Sequence, residues 1–108
     1  MILHGMPASQ GTAKGRVTVI TNLTAICYFP KGNVLVTPFT TPFLTIAILN
    51  ASAIVTEKGG ITSHAATVAR EIGVPCVVRA KGATQILKDG MEVLVDGNKG
   101  RVYRCSDG

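Results

Sequence analysis

The chain has 108 residues, is 46% hydrophobic and carries a formal net charge of +5. That length makes about one domain, residues 1–108, able to bury roughly 60–70% of its unfolded surface without staples, and its abundance of Leu, Ile and Val excludes intrinsic disorder. The charge suits an anionic partner, whether nucleotide, nucleic acid or acidic protein, but five aromatic residues, no basic run and no base-reading motif set nucleic acid aside.

In chain order, the opening "GMPASQGTAKG" reads as a loop, rich in Gly, Pro and Ser. "RVTVIT" and "NVLVT", the second after the turn Pro30-Lys31-Gly32, read as strands. Thr41 before Pro42 is an N-cap followed by a first-turn proline, which predicts a helix over 42–49. "AIVT" (53–56) is a short buried strand. A helix is expected over 64–72, stopped by Gly73 and Pro75. "PCVVR" is a strand and "ATQILK" a short helix ended by Asp89-Gly90. "MEVLVD" and "GRVYR" form a hairpin around Gly97-Asn98. Strand–helix–strand passages imply some parallel pairing, in an α/β domain of mixed sheets with two or three helices.

The three cysteines, Cys27, Cys76 and Cys105, are far apart and show neither C-x-x-C nor zinc-ligand spacing. Such sparse use fits a reducing compartment. "MILHGMPASQ" lacks the marks of a signal peptide, and "FLTIAILNASAIV" is too short to span a bilayer. The expectation is a soluble, cytoplasmic protein that meets no membrane.

Chemistry concentrates in "TEKGGITSHAATVAREIGVP", residues 56–75. At about 100° per residue, Ala65, Val68, Ala69 and Ile72 share one side of the helix. His64, Thr67, Arg70 and Glu71 share the other, so His64 stands in the first turn facing solvent. The first N–H groups of a helix lack intrahelical partners and sit at the positive end of its dipole. Gly59 and Gly60 let backbone approach closely, and Thr62 and Ser63 add hydroxyls. Together these suit a phosphate. An imidazole placed there is also a nucleophile, able to form a phosphoramidate at phosphorus. The blander alternative is a first-turn histidine making a local hydrogen bond. The spacing is not that of a P-loop, and no nucleophile elbow is present. His4 reads as a surface residue.

"GGITSHAATVAREIGVPCVV" resembles the active-site signature of the phosphohistidine mobile domain of phosphoenolpyruvate-utilising enzymes: phosphoenolpyruvate synthase, pyruvate phosphate dikinase and enzyme I of the sugar phosphotransferase system. "GMPASQGTAKGRV", "KGNVLVTPFTTP" and "LKDGMEVLVDGNKGRVY" resemble other segments of that domain in order. The resemblance implies a swivelling β/β/α domain that carries a phosphoryl group between two active sites. His64 matches the phosphorylated histidine, Gly59 and Gly60 the glycine pair, and Thr62 and Ser63 the hydroxyls. Arg70 matches the arginine of the "VAR" segment, either a phosphate ligand or a surface ion pair. By this resemblance the domain itself binds no cofactor. Mg2+ and ATP belong to partner domains or subunits: a nucleotide-binding ATP-grasp unit and a unit binding phosphoenolpyruvate or pyruvate.

Two positions depart from the family pattern. Thr41 stands where an acidic residue commonly precedes the helix proline, and Arg79 where glycine usually follows "VV", with Lys81 nearby. One of these two cations is expected to hold phosphate or dock an acidic partner. No nucleotide-binding or phosphoenolpyruvate-binding segment accompanies the signature, which leaves open a free-standing carrier or a piece of a larger enzyme. The expected function is a phosphocarrier; a non-catalytic regulatory or anion-binding module of the same fold is the alternative.

Overall fold

A computed structural model describes residues 2–21, 29–41, 44–60 and 63–105. The strands are β1 (Leu3–His4), β2 (Met6–Ser9), β3 (Thr12–Val19), β4 (Val34–Thr37), β5 (Ala53–Thr56), β6 (Cys76–Val78), β7 (Glu92–Asp96) and β8 (Arg101–Arg104). The helices are α1 (Thr45–Asn50), α2 (His64–Ile72) and α3 (Ala83–Ile86). Neighbouring strands run in the order β1-β8-β7-β3-β4-β5-β6-β2.

The ladder becomes two layers because β3 changes partner half-way. Thr12–Arg16 pair antiparallel with β7, while Val17–Val19 pair in parallel with β4. From there β4, β5 and β6 continue in parallel, and β2 closes the edge antiparallel to β6. Strands buried on both faces read as continuous apolar runs rather than alternating ones, and every residue of β4, β5 and β6 is buried. Val34, Val36, Val55 and Val77 face Val93, Val95 and Val102 of the second sheet. Leu35, Ile54, Cys76 and Val78 face α1 and α2 through Ala47, Ile48, Ala65, Ala66 and Ala69. The architecture is sheet on sheet on helices, the swivelling β/β/α arrangement.

Several expectations change in detail. The opening stretch is not a loop: Met6–Ser9 and the residues from Thr12 onward are strands. Pro7 is tolerated because β2 is an edge strand. Thr41 does not cap α1 with its side chain. The helix begins later, with Leu44 at its N-cap, and the Leu44 N–H donates to the Thr41 carbonyl at 2.9 Å. Thr41 Oγ1 is buried without a partner among the described residues, and Pro42 lies outside them. The β7–β8 turn takes four residues rather than two, because Asp96 Oδ1 accepts from the Asn98 N–H (2.9 Å) and the Lys99 N–H (3.2 Å). Gly97 is required there by crowding: a Cβ would collide with the Ser9 carbonyl and with Pro75.

The helix that carries the motif packs tightly. Its C-terminus is closed by Gly73 in the left-handed conformation, φ +79°. Ala65, Ala66 and Ala69 are buried against the sheet. Ile72, on the same azimuth as Ala65 and Ala69, stands at the helix end and is 36% exposed, so the apolar face is narrower and more alanine-based than the periodicity implies. Beneath it, burial pushes the Cys76 thiol up to about 12 from its ordinary 9.0, with the nearby Arg70 charge opposing the shift. Cys76 is thus a protonated, inert core residue rather than a nucleophile. No described helix is long and apolar enough to cross a membrane.

Ala69 is fully buried, so Ala69→Leu should overpack the helix–sheet contact and cost roughly 1–3 kcal/mol. Chemical denaturation reads this directly, and an unchanged midpoint would show that the face has room.

Candidate functional site

The carboxyl ends of parallel strands are where α/β sheets place ligands, because the loops leaving them converge there. Three such loops meet here: residues 38–41 after β4, 57–60 and 63 after β5, and 79–82 after β6. Backbone bonds lace them together. The Glu57 N–H donates to the Thr37 carbonyl (3.3 Å), the Lys58 N–H to the Pro38 carbonyl (2.9 Å), and the Ala80 N–H to the Thr56 carbonyl (2.9 Å). Inside the second loop, Thr56 Oγ1 donates to the Lys58 carbonyl at 2.7 Å.

The loop ends at the entry of α2. Ser63 is the N-cap, in extended conformation, and its Oγ accepts from the Ala66 N–H at 3.4 Å. The Ser63 N–H donates to the Gly60 carbonyl at 3.0 Å. Gly59 has φ +113°, and a Cβ there would lie 3.1 Å from Ser63 Cβ and Oγ. Glycine therefore serves both the backbone angle and the close approach. Thr62 lies outside the described residues.

His64 opens α2 and is exposed. Its Nδ1 lies 2.8 Å from Thr40 Oγ1, in a hydrogen bond whose direction follows the ring tautomer. Thr40 comes from the loop after β4, so a second chain segment orients the imidazole. With Nδ1 engaged, Nε2 is the ring nitrogen outside that bond. The sequence pattern did not single out Thr40; the "TPFTTP" stretch offers several hydroxyls, and only the parallel β4–β5 pairing brings one of them to the α2 entry.

Arg79 also reaches this end. Its Nε donates to the Gly59 carbonyl at 2.9 Å. Lys58 Nζ lies 5.9 Å above the centre of the Phe39 ring. Glu57, the carboxylate just before the motif, is occupied: its Oε2 accepts from the Thr84 N–H (3.0 Å) and Oγ1 (2.8 Å), capping α3. No cluster of three His, Cys, Asp or Glu side chains suited to a metal forms among the described residues.

Arg70 does not join His64. It sits six residues further along α2, about 9 Å down the axis, and its Nη1 donates to the Ala8 carbonyl at 2.8 Å. Ala8 lies between Pro7 and Ser9, which pair with Val77 and Cys76, at the amino end of β6 and so at the far end of the sheet. Arg70 ties the edge strand β2 to α2 there. It borders a groove of about 640 Å³ lined also by Ala8, Ser9, Gly73, Gly97 and Asn98, away from the histidine. The site thus gathers Gly59, Gly60, Ser63 and His64, together with Thr40 and Arg79, while the Arg70 bond to Ala8 lies at the other end of the sheet.

Residues 29–100 match the family model described as the mobile domain of PEP-utilising enzymes. The chain belongs to that family. It is 52% identical over 103 residues to a probable phosphoenolpyruvate synthase of Archaeoglobus fulgidus, covering 95% of this chain and 14% of the relative. It is 51% identical over 104 residues to the phosphoenolpyruvate synthase of Pyrococcus furiosus, covering 96% of this chain and 13% of that protein. The chain therefore spans about one seventh of the length of these relatives. Among solved structures it is similar to the solution structure of an Enzyme I protein: TM-score 0.62 and 31% identity, over 81% of this chain and 35% of that one. A mobile domain fits what the geometry provides, a histidine on an exposed helix entry reached by three loops.

The Thr40–His64 bond has a direct spectroscopic consequence. A bond of this kind is worth about 1 kcal/mol net, so Thr40→Val should shift the ratio of the two neutral imidazole tautomers roughly fivefold. Ring 15N shifts measure that ratio. Identical spectra for the two proteins would mean that the bond does not orient the ring.

Proposed function

We propose that the chain is the phosphohistidine carrier domain of a phosphotransfer system like that of phosphoenolpyruvate synthase and pyruvate phosphate dikinase. His64 takes a phosphoryl group derived from a nucleotide and passes it to an acceptor such as pyruvate, and the reverse transfer uses the same atoms. The observation that carries this reading is the placement of His64: exposed at the α2 entry, with Nδ1 held by Thr40.

That geometry supports a transfer with the following bond changes. With the ring proton on Nδ1 donating to Thr40 Oγ1, Nε2 presents its lone pair. Nε2 attacks phosphorus, an N–P bond forms, and the bond from phosphorus to the leaving oxygen breaks with its electron pair going to that oxygen. The ring gains a positive charge, offset by the phosphoryl oxygens. Those oxygens are met by the positive end of the α2 dipole and by the N–H groups of its first turn, with Gly59, Gly60 and Ser63 shaping the approach. Thr62 adds a hydroxyl in this reading. Passing the group on reverses each bond change.

Activating a nucleotide takes magnesium and cationic clamps on the reacting phosphate. Glu57 is already engaged with Thr84, which does not suit it to hold a cation. In this reading Mg2+ and ATP belong to an ATP-grasp partner, and a second partner binds phosphoenolpyruvate or pyruvate. The assembly is cytoplasmic. The far greater length of the relatives supports the presence of such partner domains.

Incubation with ATP and magnesium alone should leave the chain unlabelled, and adding the partner domains should label it in trans. The label should be lost in acid and survive alkali, as phosphoramidates do. His64→Ala should abolish it without unfolding the chain, because an exposed first-turn side chain contributes little to stability. An acid-stable, alkali-labile label, or one undiminished in His64→Ala, would refute the carrier.

A further inference from the structure

Arg79 is the one non-glycine residue with positive φ among those described, at +56°. That backbone region disfavours a residue with a Cβ, and it persists where surrounding contacts over-determine it, often at functional sites. The contact that fixes Arg79 is on the His64 loop. Its Nε donates to the Gly59 carbonyl at 2.9 Å, and its Nη2 lies 4.0 Å from the point that a Cβ on Gly60 would occupy. Gly59 in turn packs on Ser63, the residue that caps α2 and precedes His64. The guanidinium is therefore tied to the short segment that delivers the imidazole.

Only one of the five guanidinium N–H donors is used in the Gly59 bond. The others form the planar fork that matches phosphate oxygens. A residue serving only the turn after β6 would be glycine, which adopts this φ without strain. A residue serving only as surface charge would need neither that φ nor a bond to the glycine loop.

We propose that Arg79 is a phosphoryl-binding residue: its Nε–H holds the Gly59-Gly60 loop, and its Nη donors take the oxygens of the phosphoryl group on His64. This rests on the reading of His64 as the phosphorylated residue. The phosphoryl group is then met from two sides, by the backbone N–H groups of α2 and by a cation delivered from the loop after β6. The role falls to Arg79 rather than to Lys81, because Arg79 is the one seen bonded to the loop.

Potassium phosphoramidate, which phosphorylates histidine without any protein partner, tests this on the full chain. The other histidine, His4, exposed on β1, is first removed as His4→Gln. Phosphorus NMR then follows the last ionisation of the phosphoryl group on His64 as pH is varied. A guanidinium in contact favours the doubly charged form, so the apparent pKa should rise by about one unit in Arg79→Gly. Arg79→Lys, which keeps the charge and loses the fork, should fall between the two. A merely structural arginine would not move this titration. Should wild type and both variants be phosphorylated and titrate alike, Arg79 does not touch the phosphoryl group, and the carrier reading stands. Should wild type take no phosphoryl group on His64, the carrier reading falls and this inference with it.

Discussion

The contact on which the site depends is the packing of three alanines against a sheet. Ala65, Ala66 and Ala69 are buried between α2 and the strands below. Small side chains let the helix axis come close and hold it in register with β5 and β6. That closeness sets where the helix begins, at the carboxyl ends of the parallel strands, and so where Ser63 and His64 stand. A wider seat would separate His64 from Thr40, and the Gly59 loop from Arg79, which are linked by bonds of 2.8 and 2.9 Å.

Three consecutive loops each contribute one feature to this end of the molecule. The loop after β4 brings the hydroxyl that orients the imidazole, the loop after β5 brings the glycines and the helix cap, and the loop after β6 brings a cation. None of these loops could be placed alone. Their edges are joined by the Glu57, Lys58 and Ala80 backbone bonds to Thr37, Pro38 and Thr56, so the parallel sheet works as a common base. The far end is held separately, by the Arg70 bond to Ala8 and the close contact of Gly97 with β2. The orienting features cluster at one end, and the other end serves the fold.

The sequence reading went furthest where one local pattern decided the outcome. The α2 span, the left-handed stop at Gly73, the buried β5 run and the β7–β8 pairing all carry signals a few residues long. It failed where the outcome lay in a distant partner. Met6–Ser9 looked like loop because Pro and Ser dominate it, yet β6 supplies the edge to which it pairs. Thr41 had the composition of a cap, but its hydroxyl is buried without a partner among the described residues and the helix starts after it. Arg70 could be placed on a helix face and no further, since the carbonyl that holds it is 62 residues away in sequence. Thr40 was missed for the same reason. Arg79 stands out in the sequence as a departure from the family pattern, but only the folded loops show that it holds the Gly59 carbonyl.

The central claim is that Thr40 occupies Nδ1 of His64 and so commits Nε2 to the chemistry. Correlating phosphorus and ring protons with the two imidazole nitrogens by NMR in the phosphorylated, 15N-labelled chain tests it most directly. Phosphorus should be bonded to Nε2, with the ring proton retained on Nδ1. Phosphorus bonded to Nδ1 would contradict it, because that nitrogen would have had to leave Thr40 to react.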